Sequence, residues 1–162
     1  MIFIDRKECF NFLLRHKDKQ VIKFISGIKG CGRTTLLDTY KDYLIKTGIS
    51  KEQLISINLE DISYQDKNYK ELYFYIKNKL IEGKMTYIFL DEIQNCKNFE
   101  KMVDSLFIQP NVDIYIIGSN AYFMSGELAT LLSGRYVELK MLPLSFKEYV
   151  SGVNNSKSIV AK

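Results

Sequence analysis

Gly27-Ile28-Lys29-Gly30-Cys31-Gly32-Arg33-Thr34 decides how this 162-residue chain is read. The stretch follows the pattern G-x-x-x-x-G-K-[ST] at every fixed position but one, where Arg33 stands in place of lysine. The residues before it, Val21-Ile22-Lys23-Phe24-Ile25-Ser26, form a short apolar, β-branched run that predicts a buried strand. Those after it put Leu36, Leu37, Tyr40 and Leu44 at helical spacing. A glycine-rich turn between a strand and a helix is the setting in which this pattern cradles phosphate. Glycines let the main chain come close to a ligand, and successive N–H groups at a helix N-terminus face an anion. The reading is a polyphosphate held by Gly27, Gly30, Cys31, Gly32 and Arg33, with the Thr34 hydroxyl on Mg²⁺ and Thr35 helping at a phosphate oxygen.

A second stretch sharpens this. Thr86-Tyr87-Ile88-Phe89-Leu90-Asp91-Glu92-Ile93-Gln94 is an apolar strand that ends in two adjacent carboxylates. A parallel strand covered on both faces is this apolar, and its carboxyl end faces the ligand crevice of an open α/β sheet. Asp91 is expected to hold Mg²⁺ through its water shell, and Glu92 to polarise the attacking water.

With both motifs in place the chain resembles the ATPase domain of AAA-type P-loop proteins of the additional-strand, catalytic-glutamate class. More narrowly, it resembles prokaryotic ATPases that carry a nuclease-like or winged-helix region after that domain. Gly27 to Leu37 and Phe89-Leu90-Asp91-Glu92-Ile93-Gln94 carry the likeness. So do Ile117-Gly118-Ser119-Asn120, Leu132-Ser133-Gly134-Arg135-Tyr136 and Pro143-Leu144-Ser145-Phe146. Together they span about residues 20 to 149.

The resemblance implies further roles. Ser119 and Asn120, after the strand Val112 to Ile117, match the position that senses the γ-phosphate. From the residues alone, a Ser-Asn pair there is a turn or a helix cap, and both readings stand. Asn58, ending the strand Leu54 to Ile57, matches a position that can restrain the catalytic glutamate, or simply terminates a strand. Arg135 matches an arginine finger, which would stabilise charge on the transferring phosphoryl group; a surface ion pair is the alternative. The family also implies ATP rather than another nucleotide, and strand order 5-1-4-3-2.

Arg33 is the departure. Lysine reaches phosphates as a compact ammonium, whereas arginine keeps the charge but brings a wide planar fork. The guanidinium either swings away from the lysine's slot or grips phosphates from a displaced position. Binding then survives, while placement for catalysis suffers. Lys29 cannot replace it, because its backbone position differs.

Composition sets the frame. A hydrophobic content of 46% over 162 residues suits one domain with a sizeable core. No run is long and apolar enough for a transmembrane helix, and the charged N-terminus does not read as a signal peptide. Cys9, Cys31 and Cys96 have no metal-ligand spacing and suit a reducing cytoplasm. Cys31, beside basic residues at a helix start, is either a redox-sensitive thiol or a small loop residue. The net charge of +4 is spread over scattered lysines, so nucleic-acid contact is not supported by this region itself.

The element pattern predicts an α/β fold, a three-layer α/β/α sandwich around a five-stranded, mainly parallel sheet. Asp5-Arg6-Lys7-Glu8 reads as a capping box opening a helix over 5–16. Asp61 to Tyr69 reads as loop, and about Tyr122 to Leu132 as helix. Tyr136 to Met141 alternates like an edge strand. The ATPase domain is expected over 1–150. Residues 151–162 are expected to be a frayed polar tail or the start of a further region carrying the lid. Expected partners are the nucleotide, a second copy or another protein, and DNA through such a further region, with no membrane. Two functions stand: an Mg²⁺-dependent ATPase driving a conformational change, and a non-hydrolysing nucleotide switch disabled by Arg33.

Overall fold

A computed structural model describes residues 6–119, 130 and 132–160, and for 155–160 the backbone only. The five apolar runs are strands: β1 (Ile22–Gly27), β2 (Leu54–Asn58), β3 (Thr86–Asp91), β4 (Val112–Ser119) and β5 (Tyr136–Met141). Neighbours are parallel throughout, in the order β2-β3-β4-β1-β5, which is the expected order read from the other edge.

Parallel neighbours need crossovers. Helix α1 (Lys7–His16) precedes β1, and α2 (Arg33–Lys46) follows it. Helices α3 (Ile62–Gln65) and α4 (Tyr69–Lys77) lie between β2 and β3, and α5 (Phe99–Phe107) between β3 and β4. Helix α6 (Phe146–Val160) follows β5.

Strand periodicity divides the core. Phe24, Ile57, Ile88, Leu90, Ile114 and Ile116 face one side, against Leu72 and Ile76 of α4 and Met102, Val103 and Leu106 of α5. The alternate residues Ile25, Tyr87, Phe89, Tyr115 and Ile117 face the other, against Leu13 of α1 and Leu36, Leu37, Tyr40 and Leu44 of α2. Side chains two apart share a face, so each central strand feeds both layers. On β5 the alternation fits an edge: Glu138 and Lys140 are exposed while Met141 is buried.

Three local expectations change. The box at Asp5 does not open α1. The cap position is Arg6, whose side chain makes no cap bond and instead donates to the Leu142 carbonyl at 2.8 Å; Asp5 lies outside the described residues. Within the expected loop, Asp61 caps the one-turn α3 by accepting from Ser63 N–H at 2.8 Å. And α6 runs through Val160, so 151–160 is helical rather than frayed. A reciprocal box starts it: Ser145 N–H donates to Glu148 at 2.7 Å, and Glu148 N–H to Ser145 Oγ at 3.2 Å. Of the helix expected over 122–132, residues 122–129 and 131 lie outside the described residues; Thr130 is helical and Leu132 buried. No described helix is long and apolar enough to cross a membrane.

Candidate nucleotide site

Register brings the motifs to one edge. Gly27 pairs with Ser119 on one side and Met141 on the other, and Asn58 pairs with Asp91. Because the strands are parallel, their carboxyl ends gather the glycine loop, the acidic pair and Ser119 together. Asn120 lies outside the described residues.

The loop is shaped from below. Added at Gly27, a Cβ would lie 2.6 Å from Cys31 Sγ and 2.8 Å from the Met141 carbonyl, so only glycine fits there. Cys31 is buried, and its sulfur is part of this packed floor rather than part of the cradle's face. Gly30 and Gly32 take φ of 85° and 95°, and nothing lies within 4 Å of where their Cβ atoms would be. The space above them is open to a ligand. Gly32 caps α2 without any side-chain hydrogen bond, and Leu36 N–H is bonded back to the Gly32 carbonyl. The first-turn N–H groups before it therefore have no side-chain cap and face an anion's natural position. Thr34 and Thr35 are exposed at this turn. Lys29 points away and pairs with Glu60 at 3.0 Å.

Arg33 takes the inward path. Its side chain is 5% exposed; one nitrogen donates to the Gly118 carbonyl at the end of β4, and the other lies 3.1 Å from Glu92 Oε1. Glu92 has φ 52°, ψ 49°, left-handed for a non-glycine residue. Its other oxygen accepts from Gln94 Nε2 at 2.5 Å, and its N–H donates to Asp91 Oδ1 at 2.9 Å. Burial, and next the Glu92 charge, push the Asp91 carboxyl above the ordinary range. A cation there would relieve that cost. No group of three His, Cys, Asp or Glu among the described residues could hold a metal. Mg²⁺ commonly takes one or two protein ligands and fills the rest with phosphate and water, so it requires no such group. Asn58 Oδ1 accepts from Glu60 N–H at 2.9 Å. A cleft of about 490 Å³, lined by Leu59, Glu60, Gln65 and Asn95, opens at the same edge.

A family of AAA domains matches residues 19–150. The chain belongs to that family. An uncharacterized protein of Haemophilus influenzae is 42% identical over 153 residues, which cover 93% of this chain and 38% of that protein. An uncharacterized protein of Methanocaldococcus jannaschii is 33% identical over 138 residues, covering 82% of this chain and 29% of that one. The AAA domain thus spans well under half the length of these relatives. Among solved structures, the Saccharomyces cerevisiae Hsp104:casein complex superimposes with a TM-score of 0.67 at 12% identity, over 93% of this chain and 29% of that one. The Aeropyrum pernix ORC1 protein in complex with DNA does so at 0.62 and 14% identity, over 97% and 50%. At such identities the likeness is one of fold: a P-loop ATPase-type domain.

Arg135 sits elsewhere in this AAA domain. It precedes β5, its carbonyl accepts from Ile22 N–H at 2.7 Å, and its side chain pairs with Asp104 at 2.8 Å. That is the amino edge of the sheet. The six residues of β1 separate it from the loop by roughly 20 Å at about 3.3 Å per residue. It cannot reach this chain's own phosphate loop.

Two features escape the sequence reading. Gln94 stands in the quoted acidic motif, two residues after Glu92, yet its grip on Glu92 has no signature in spacing. The other is a buried ion pair between Lys23 and Asp113, both side chains 0% exposed. Lys23 also donates to the Lys19 carbonyl at 2.7 Å. Asp113 also accepts from Asp18 N–H at 2.8 Å and Tyr115 OH at 3.0 Å. One charged residue inside each of two otherwise apolar strands was the available signal.

Proposed function

We propose that this AAA domain binds ATP with Mg²⁺ and hydrolyses the β–γ bond, driving a conformational change. The supporting observation is the edge where an uncapped helix start, open glycines and the Asp91-Glu92 pair converge. Gly27 to Thr35 would hold the phosphates, and Thr34 and Asp91 the metal, which would offset phosphate charge. Ser119 and Asn120 would read the γ-phosphate. Glu92 would take the proton of the attacking water. Arg135, barred from its own site, would serve a neighbouring copy in a homo-oligomer. Contact with DNA or another protein is assigned to the remainder of longer family members.

The test is calorimetry with ATP and ADP plus Mg²⁺, followed by phosphate release. ATPase function gives binding with release, and Glu92→Gln should cut release by about 100-fold or more while binding persists. A second reading has its own observation: Arg33 is turned onto Glu92 rather than outward. Binding without release, restored by Arg33→Lys, would establish the non-hydrolysing switch. Absence of binding in folded protein would end both readings.

A further inference from the structure

Glu92 is engaged from both sides. Arg33 holds Oε1 at 3.1 Å and Gln94 holds Oε2 at 2.5 Å. A carboxylate so occupied carries a charge-assisted contact on one oxygen and an amide donor on the other, and an incoming water must compete with both. The guanidinium is also anchored to the Gly118 carbonyl. This bridge uses arginine's fork: two nitrogens span the ends of β3 and β4 at once, which a single ammonium cannot do in the same way. Yet Arg33 is the first residue of α2, at the loop position whose side chain would meet the phosphates. One guanidinium cannot occupy both places.

We propose that Arg33 locks Glu92 in the nucleotide-free protein, with Gln94 as the positioning residue that fixes the carboxylate toward it. Polyphosphate draws the guanidinium off Glu92 and frees the base. The proposal rests on the ATP-binding reading. Once freed, Glu92 takes a proton from water, the water oxygen bonds to the γ-phosphorus, and the bond to the bridging oxygen breaks, its electron pair leaving with ADP. Gln94 Oε1 is buried without a hydrogen-bond partner among the described residues. Buried acceptors are ordinarily satisfied, so this atom retains the capacity to accept one further hydrogen bond beside Glu92.

ADP with Mg²⁺ is the probe, because its binding is read without turnover. The lock makes Arg33 unavailable, so Glu92→Gln should tighten ADP about tenfold, and Gln94→Ala by a smaller factor. Loss of a negative charge near phosphates would also tighten binding, but independently of Arg33. In an Arg33→Met background the lock therefore predicts no gain from Glu92→Gln, whereas simple repulsion predicts the same gain. A persistent gain there, or none in the parent, overturns the lock. Should Glu92→Gln fail to fold, Gln94→Ala carries the same comparison. If neither parent nor variants bind ADP, the nucleotide reading fails separately. The lock is then judged in the free protein by the Gln94 side-chain amide NMR signal. Arg33→Met should shift it through Glu92, and an unmoved signal overturns the lock.

Discussion

Two ion pairs stand at opposite ends of the same sheet and differ in what surrounds them. Lys23–Asp113, toward the amino edge, is sealed: both side chains are inaccessible, and Asp18, Lys19 and Tyr115 supply further hydrogen bonds to it. Tyr115 OH in turn meets Tyr40 OH at 2.8 Å, and Tyr87 OH donates to Asp18 at 2.7 Å. Burial and the Asp18 carboxylate push the Tyr87 hydroxyl up to about 12, so it stays a donor at any ordinary pH. Arg33–Glu92, at the carboxyl edge, is 5% and 12% exposed and borders a loop with open space above it. The first pair has nowhere to go. The second, on the ATP-binding reading, has a phosphate as an alternative partner. Burial of a pair therefore does not by itself mark a fixed contact; the count of competing partners does.

The largest expected effect breaks the sealed pair. Lys23→Met leaves Asp113 buried and uncompensated and should cost about 3–5 kcal/mol in urea unfolding. Lys23→Met with Asp113→Leu should recover much of that loss, because no charge is then stranded. If Arg33→Met were as costly as Lys23→Met, the contrast between the pairs would fail.

Next comes Gly27→Ala, which forces a methyl against Cys31 Sγ and the Met141 carbonyl. A loss of about 1–3 kcal/mol is expected in the same assay, as for overpacking a filled core. Gly30→Ala should act differently: its Cβ meets nothing, and only the positive φ opposes it.

Asp91→Asn sharpens the comparison through pH. Burial and Glu92 raise the folded Asp91 pKa above its unfolded value, so the folded state holds the proton more tightly. Stability is then lost as pH rises from the unfolded pKa through the folded one, and the cost is complete above both. Asp91→Asn should raise Tm at neutral pH, with the advantage vanishing below about pH 4. A destabilised variant at pH 7 would show that Asp91 is a structural acceptor.

The smallest effect belongs to Arg135→Ala. Its pair with Asp104 is exposed, 48% and 41%, and should contribute about 0–1 kcal/mol. If phosphate release fell sharply and with protein concentration, the neighbouring-copy role would gain support; an unchanged rate would remove it.

The fold was legible because periodicity and glycine placement are local. Val21 to Ser26 and Thr86 to Asp91 read as covered strands, and their carboxyl ends share an edge once parallel. The order of the strands came from family resemblance and holds. What stayed hidden depends on side-chain direction. Arg33 was readable as a substitution, but whether it faces phosphate or protein depends on Gly118 and Glu92, which are 85 and 59 residues away. The pairing of Lys23 with Asp113 left no local trace, because the two residues are 90 apart in sequence. The small polar residues from Ser151 onward gave no sign of a helix through Val160, although Ser145 and Glu148 supplied its start.

The missing side chain at Gly27 has a mechanical consequence. The floor of the glycine loop lies directly against the Met141 carbonyl, with the Cys31 sulfur packed at the same spot. Met141 ends β5, and only Leu142 to Ser145 separate it from α6. The loop cannot settle deeper without pushing the end of the last strand, which is also the end that leads to the C-terminal helix. Gly27 is thus a bearing surface, where displacement of the loop meets the end of the segment that carries the C-terminal helix.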